Sequence, residues 1–214
     1  MVVTVDSTEG RLIGAAERLF AEHGVGAVSL RAIMQAAGTN VAAVHYHFGS
    51  KQALLDAVLR ARIDQVARER EALLRELSGA EVTVEVLAEA YVRPLVTVLG
   101  SGGEFWIRLV GRLLAAGDGE LAPVAESFLE RNAAFLELLG RGNPGIETRT
   151  LHFRLIQAMR LTLNVLGDIG HTRRLLGEHG WSTEDVVEQL TEVVTGIFAG
   201  PPGQRQPRRT RNGN

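Results

Sequence analysis

The stretch that decides the fold is SLRAIMQAAGTNVAAVHYHFGSK, residues 29–51. It holds two short apolar patterns of helical period, separated by the turn Gly38-Thr39-Asn40. Ser29 precedes the first pattern and Asn40 the second, and both residue types cap helix starts. Two short helices joined by a glycine-containing turn are typical of a helix-turn-helix, which places its second helix in the major groove of DNA.

The second helix of this pair has an inner and an outer face. Val44 and Phe48 are spaced to anchor it from behind. The outer face is small and weakly polar, which suits close approach to base edges and thymine methyl groups. It consists of Asn40, Val41, Ala42 and His45.

Residues around this outer face are placed to contact the DNA backbone. Ser29 and Ser50 begin helices, whose unpaired N–H groups and positive dipole end favour an anion. Tyr46 lies between them in the sequence. Lys51, the only lysine of the chain, adds a point charge at the second of these helix starts. We therefore predict phosphate contacts from Ser29, Tyr46 and Lys51.

The composition is that of an ordinary globular protein, with 45% hydrophobic and 22% charged residues. The absence of cysteine excludes disulfides and thiolate zinc sites. The first residues lack the pattern of a signal peptide, and no apolar run approaches the roughly 18 residues of a membrane helix, so we expect a cytoplasmic protein with no membrane partner. The net charge of −2 argues mildly against nucleic-acid binding, but local positive groups matter more.

Helical periodicity continues through most of the chain. The first helix is predicted to begin after Ser7 or Thr8 and to end at Gly24, and a long helix follows Ser50 to about Leu77. Glycine-rich breaks separate the helices that follow. These are predicted at residues 83–99, 104–115, 123–139, 147–166 and 183–198.

Residues 12–24 and 29–55 closely resemble the N-terminal domain of the TetR family of regulators. The strongest part is residues 37–54, which contain Tyr-His-Phe-Gly-Ser-Lys, as in one branch of the family. The resemblance implies an all-helical homodimer with a DNA-binding head and a C-terminal pocket whose ligand lowers DNA affinity. It also implies that the recognition helix presents Thr39, Asn40, Val41, Ala42 and His45, and that Tyr46 and Lys51 contact phosphate. His45 takes a position often held by tyrosine, so the base preference does not carry over.

The helical periodicity and this resemblance together predict an all-α fold, with a three-helix head joined by a long helix to a larger body. The domains are expected at 7–52 for the helix-turn-helix, 53–199 for ligand binding and dimerisation, and 200–214 for a disordered, arginine-rich tail. The expected function is repression from a palindromic operator. Its partners are double-stranded DNA, a second copy of the chain and an unidentified small, lipophilic effector; no cofactor or metal is expected.

Several side chains on the predicted body helices are candidates for the effector pocket. Mostly apolar pockets orient a ligand with few polar groups. Ordinary core packing is the alternative for the apolar candidates, and surface exposure is the alternative for the polar ones. The candidates are Phe105, Trp106, Leu109, Arg112, Phe128, Met159, Arg160 and Asn164.

Two apolar stripes on the last long helices are candidates for a twofold dimer interface. A single head reads only one half-site, so operator recognition calls for two copies. The alternative is that both stripes pack within one chain. The first stripe is Leu151, Leu155, Met159 and Leu163, and the second is Val187, Leu190, Val194 and Ile197.

Enzyme activity is not expected, because the sequence lacks a nucleophile elbow, an HExxH metalloprotease motif and a P-loop. His45 and His47 stand at i and i+2 on a helix, so their side chains diverge and do not share a metal. The main alternative to a DNA-binding regulator is a helical interaction module whose head binds a protein.

Overall fold

A computed structural model describes residues 7–39, 47–77, 82–116, 128–177 and 180–201, without the side chains of Phe128 and Leu129. Within these ranges the chain forms ten helices and no strand, which confirms the all-α prediction. The helices are α1 Thr8–His23, α2 Leu30–Ala37, α3 Lys51–Glu76, α4 Val84–Gly100, α5 Glu104–Ala116, α6 Phe128–Arg131, α7 Ala133–Gly142, α8 Thr148–Gly167, α9 Ile169–Leu175 and α10 Thr183–Ala199.

Local capping chemistry sets most of these helix starts. The hydroxyl groups of Ser7, Ser29, Ser50 and Thr83 each accept a hydrogen bond from a backbone N–H in the first turn of α1, α2, α3 and α4. Ser182 forms a reciprocal capping box with Asp185 at the start of α10. These bonds satisfy N–H groups that have no partner inside the helix. The predicted caps at Ser7, Ser29 and Ser50 are confirmed.

Helix α1 lies between the head and the body. It packs on α2 and α3 within the head and on α5 of the body. Its buried face includes Leu12, Ala16 and Phe20, which are fully buried. Helix α3 continues without interruption across the predicted domain boundary at 52/53, so both parts share this helix. That division of the chain remains a prediction, as does the tail, because residues 202–214 lie outside the described ranges.

The body is built around α4, α5, α8 and α10. Helix α5 packs on α8, and α4 packs on both α3 and α10. Tyr91, Phe135 and Phe198 form an aromatic cluster from three helices, with ring centroids 5.3–5.6 Å apart. All three rings are buried. Aromatic packing at this distance contributes beyond the apolar area that it buries.

Two small residues allow α5 and α8 to cross closely. A Cβ atom added at Gly167 would lie 2.9 Å from the Cα and 3.0 Å from the backbone nitrogen of Arg108. One added at Gly111 would lie 3.6 Å from the carbonyl oxygen of Leu163. The contact at Gly167 is too close for a side chain, so glycine fixes the spacing of the two helices there.

The structure differs from the predicted helices at two places. The single helix expected over residues 123–139 is divided at Asn132 into α6 and α7, and residues 117–127 lie outside the described ranges. Helix α9 was not predicted; Asp168 caps its start by accepting a hydrogen bond from the backbone N–H of His171. Among the described residues, none of the helices has the length and apolar character that spanning a bilayer demands.

Candidate nucleic-acid interface

Helix α2 and the turn that follows it have the predicted geometry. The Ser29 hydroxyl accepts from the backbone N–H of Ala32 at 3.2 Å. Gly38 has φ 62° and ψ 38°, the left-handed conformation that side chains other than glycine resist. The next N–H, that of Thr39, donates to the carbonyl oxygen of Met34 at 3.0 Å. The first helix and turn of the predicted motif are therefore present.

The residues predicted to read bases lie largely outside the described ranges. This applies to Asn40, Val41, Ala42 and His45, and also to the predicted phosphate contact Tyr46 and the predicted anchor Val44. Their roles remain predictions. Thr39 is described and half-buried, and its hydroxyl oxygen has neither solvent contact nor a hydrogen-bond partner among the described residues.

The chain returns to the described part just before α3. Phe48 is half-buried and packs against the hydrophobic core, as expected for the anchor of the preceding helix. The Ser50 hydroxyl then accepts from the backbone N–H of Ala53 at 3.1 Å. This end of the predicted recognition helix is thus fixed on the same core as α1 and α2.

Lys51 has internal partners that the sequence did not indicate. Its ammonium group donates to the carbonyl oxygens of Val25 at 2.8 Å and Val28 at 3.1 Å. Both carbonyls belong to the loop between α1 and α2, so Lys51 fastens the start of α3 to that loop. An ammonium group has three donors, and a phosphate contact by Lys51 therefore remains a prediction alongside this positioning role.

Arg112, a candidate for the effector pocket, contacts the head instead. It is exposed on α5, and its Nη1 donates to the carbonyl oxygens of Ala21 at 2.6 Å and Glu22 at 3.1 Å. These carbonyls belong to the last turn of α1, where the helix leaves acceptors unpaired and its dipole favours a cation. Arg112 therefore joins a body helix to the end of a head helix.

Trp106 makes a second connection to the head side of the molecule. Its indole Nε1 donates to the carbonyl oxygen of Leu59 on α3 at 3.2 Å, and the side chain is buried. Leu109 is also fully buried, on the same helix α5. These two pocket candidates thus belong to the packed core between α5 and its neighbours, which is the alternative that the sequence left open.

A largely buried ion pair lies at the same junction. Glu17 of α1 faces Arg62 of α3, with 3.7 Å between Oε2 and Nε, and Arg62 also donates to the hydroxyl of Ser101 at 3.2 Å. Burial raises the pKa of the Glu17 carboxyl, and Arg62 only partly offsets this. The pair borders a cleft of about 580 Å³ between head and body, which Phe105 also lines.

The remaining pocket candidates do not share one environment. Arg160 and Asn164 are exposed on α8, and Met159 is half-buried against the core. The side chain of Phe128 lies outside the described residues. For Arg160 and Asn164 the structure therefore confirms surface exposure, the alternative to a pocket position that the sequence left open.

The stripes proposed for dimerisation are largely internal. Leu151, Leu155, Leu163, Leu190 and Val194 are all buried within the single chain. A side chain that is already covered offers little area to a second copy, so these five residues are corrected to core positions. Met159, Val187 and Ile197 are half-buried.

A different face of the same two helices is exposed. On α8 it contains Phe153, which is 62% exposed, together with Arg160 and Asn164. On α10 it contains Val193, which is 52% exposed, and the exposed Glu192. Exposed apolar side chains on two helices that pack together form a candidate contact surface.

A capped α2 and the left-handed glycine turn after it are the described part of a helix-turn-helix, carried on a helical body. Two family models match the chain. The model described as bacterial regulatory proteins, tetR family, matches residues 12–58, and a tetracyclin repressor-like C-terminal domain matches residues 89–200, just over half of the chain. The chain belongs to the TetR family of bacterial regulatory proteins.

Similar proteins include both repressors and structurally related regulators. The HTH-type transcriptional repressor KstR2 of Rhodococcus jostii (strain RHA1) is 31% identical over 88 residues, which cover 38% of this chain and 43% of that repressor. The chain therefore spans less than half of the length of this curated relative.

Solved structures share the fold over most of the chain. Mycobacterium smegmatis AmtR has a TM-score of 0.62 and 18% identity, covering 93% of this chain and 89% of AmtR. The ketosteroid transcriptional regulator KstR2 of Mycobacterium tuberculosis has a TM-score of 0.60 and 19% identity, covering 90% of this chain and 95% of that protein. At these identities the likeness establishes the fold alone.

Proposed function

We propose that this protein is a ligand-responsive transcriptional repressor that binds a palindromic operator as a homodimer and leaves it when a small, lipophilic effector binds. The observation that carries the proposal is the head: a capped α2 and a left-handed Gly38 lie within residues 12–58, which match the tetR-family model. Repressors such as KstR2 of Rhodococcus jostii match the chain in part. The role proposed is regulatory and not enzymatic.

Operator recognition is proposed to divide between base and phosphate contacts. The base contacts come from the recognition helix, through Thr39, the segment 40–42 and His45. The phosphate contacts come from Ser29, Tyr46 and Lys51. We assign the protein to the branch of the family that carries Tyr-His-Phe-Gly-Ser-Lys at the end of the recognition helix, here residues 46–51.

Dimerisation is proposed through α8 and α10, on their exposed face. Two adjacent helices from each copy would form a four-helix interface with twofold symmetry. The face carries apolar Phe153 and Val193 together with basic Arg160 and acidic Glu192. In an antiparallel twofold contact, the two charges of one copy can meet opposite charges of the other.

Effector release is proposed to act through α5. This helix packs on α8 within the body and on α1 of the head, and Arg112 bonds the last turn of α1. A shift of α5 that follows effector binding would therefore move α1 and change the spacing of the two heads. Half-sites lie about one DNA turn apart, so a change in head spacing lowers affinity.

An electrophoretic mobility shift with the DNA flanking the protein's own gene tests the proposal. We expect a specific shift that competitor DNA of random sequence does not remove. The absence of a specific shift at every salt concentration would contradict repression at that site and favour the protein-binding alternative.

Analytical ultracentrifugation of Phe153→Asp tests the dimer face. We expect this variant to dissociate into monomers, because a carboxylate would replace an apolar side chain at the contact. The control is Leu175→Asp, which changes an exposed apolar residue of α9 outside this face and should leave the dimer intact. An unchanged dimer of Phe153→Asp would refute the proposed interface.

His45→Ala tests base recognition separately. We expect a changed base preference in a selection from randomised operators, because a side chain that contacts one base pair typically contributes about 1–3 kcal/mol of discrimination. His171→Ala, an exposed histidine of α9, is the control and should leave the preference unchanged. The role assigned to His45 is refuted by an operator profile identical to that of the unmodified protein.

A further inference from the structure

Arg70 is a cation turned into the body with an incomplete set of partners. It lies on α3, and its Nη1 donates to the Asn132 side-chain oxygen at 2.9 Å, while Nη2 donates to the carbonyl oxygen of Tyr91 at 3.2 Å. The guanidinium carbon stands 4.4 Å from the centroid of the Tyr91 ring. The Nε atom has no solvent contact and no hydrogen-bond partner among the described residues.

No carboxylate among the described residues compensates this charge. Glu69, the preceding residue, accepts a hydrogen bond from the Thr97 hydroxyl at 2.7 Å, and Glu71 is exposed. Asp64, earlier on α3, pairs with Arg131 at 3.6 Å. Burial raises the pKa of Tyr91 to about 12, so its phenol is neutral at physiological pH and supplies no counter-charge. The acids nearest in sequence are thus engaged elsewhere or turned to solvent.

Another inward-turned arginine shows what a purely structural role looks like. Arg154 is buried on α8, and its Nη1 donates to the carbonyl oxygen of Phe198 at 2.9 Å, in the last turn of α10. The dipole of a helix C-terminus favours a cation there. Arg70 instead bonds the carbonyl of Tyr91 on α4, nine residues before that helix ends at Gly100, so the C-terminus of α4 does not compensate its charge.

Taking a charge out of water without a counter-charge carries a desolvation cost. Two hydrogen bonds and the Tyr91 ring offset part of this cost, but they leave Nε without a partner among the described residues. The surroundings of Arg70 are apolar, since Leu74 lies one turn further along α3 and the Tyr91 ring belongs to the buried aromatic cluster. An anion with an apolar body fits both the charge and its neighbours.

We propose that Arg70 is the anion-binding group of the effector site, and that the effector is a lipophilic molecule with one carboxylate. This proposal rests on the ligand-responsive function proposed above. The carboxylate accepts from Nε, the donor left without a partner among the described residues, and Asn132 and the Tyr91 carbonyl hold the guanidinium in orientation. Charge-assisted bonds of arginine to carboxylate are strong and directional.

Calorimetric titration with sodium decanoate and with decan-1-ol, which has the same chain length and no charge, tests the proposal. We expect the unmodified protein to bind decanoate at least about tenfold more tightly than decan-1-ol. The free energy of one hydrogen bond to a charged group exceeds the free energy that corresponds to a tenfold ratio of affinities. Arg70→Met is expected to remove the preference. Arg131→Met, which removes an exposed cation from the adjacent α6, is expected to keep it.

The melting temperature with and without decanoate gives a second readout. Arg70→Met loses the bonds to the Asn132 side chain and the Tyr91 carbonyl, so without ligand it should melt lower than the unmodified protein. A ligand that binds the folded state raises the melting temperature, so decanoate should stabilise the unmodified protein and Arg131→Met but not Arg70→Met. An equal rise in Arg70→Met overturns the proposal. So do equal affinities for the two probes, binding of neither probe, or a preference that survives in Arg70→Met.

The two proposals fail in different ways. Arg70→Met without ligand should shift operator DNA as the unmodified protein does. If the unmodified protein prefers decanoate through Arg70 but binds no operator, the anion site stands and the repressor function fails. If operator binding is specific and the decanoate preference is absent, the repressor function stands and the anion site fails.

Discussion

Replacing Arg112 with methionine should loosen the attachment of the head to the body. The side chain of Arg112 donates to the carbonyl oxygens of Ala21 and Glu22, at 2.6 and 3.1 Å. Methionine keeps much of the length and apolar stem but has no donor, so both carbonyls and the α1 dipole lose their cation. Because methionine buries no new polar group, the core should not change.

The size of this effect follows from the exposure of the arginine. A buried bond to a charged group contributes about 1.5–3 kcal/mol, and a cation at a helix C-terminus about 0.3–1 kcal/mol at the surface. Arg112 is exposed, so we expect a loss of about 1–2 kcal/mol. For a domain of this size, that lowers the melting temperature by about 2–8 °C.

Differential scanning calorimetry of R112M and R68M measures this loss. Arg68 is an exposed arginine of α3 with no hydrogen bond or ion pair among the described residues, so its replacement controls for the removal of a charge. The operator affinity of R112M, with and without effector, measures the coupling of body to head. Equal melting temperatures for R112M, R68M and the unmodified protein would refute the role that we assign to Arg112.

Three further predictions test other contacts. Lys51→Met should lower the free energy of unfolding by about 1–2 kcal/mol, because it loses two hydrogen bonds to the loop between α1 and α2. It should also reduce the slope of log DNA affinity against log salt concentration by about one unit. An unchanged slope would leave Lys51 only its positioning role. Gly167→Ala should lower the free energy of unfolding, measured by urea denaturation, by about 1–3 kcal/mol, because the new Cβ would meet the Arg108 backbone. Gly14→Ala has open space around its Cβ and should stabilise the protein instead. Equal effects of the two variants would refute the close crossing of α5 and α8 at Gly167. The pKa of Glu17 is raised in the folded state above its ordinary value of 4.5, so the free energy of unfolding should fall as pH rises from about that value through the folded pKa. Glu17→Gln should remove this fall. The same pH profile in Glu17→Gln and the unmodified protein would contradict the assignment to Glu17.

Helix starts and stops were predictable because they depend on residues close in sequence. A serine hydroxyl that caps α1, α2 or α3 accepts from an N–H three residues away. The left-handed turn at Gly38 is equally local. The division at Asn132 was missed, because no glycine or proline marks it and the side chain of Asn132 is bound by Arg70, 62 residues earlier.

The sequence correctly predicted an apolar stripe on α8 and on α10. It did not predict which helix covers each stripe. Leu155 and Val194 face the core of the same chain, and Phe153 and Val193 face outward. A repeat of 3.6 residues states which side chains share a face of a helix. It does not state whether a helix of the same chain or of another copy covers that face.

The sequence by itself determined the all-helical class, the helix-turn-helix and the caps at Ser29 and Ser50, because these follow from local spacing and from residues 29–51. Only the tertiary structure decided what Lys51, Arg70 and Arg112 contact, since their partners lie between 21 and 91 residues away. A long basic side chain reaches several helices, and packing alone selects which carbonyl or amide it meets. The attachment of head to body was for this reason visible only in three dimensions.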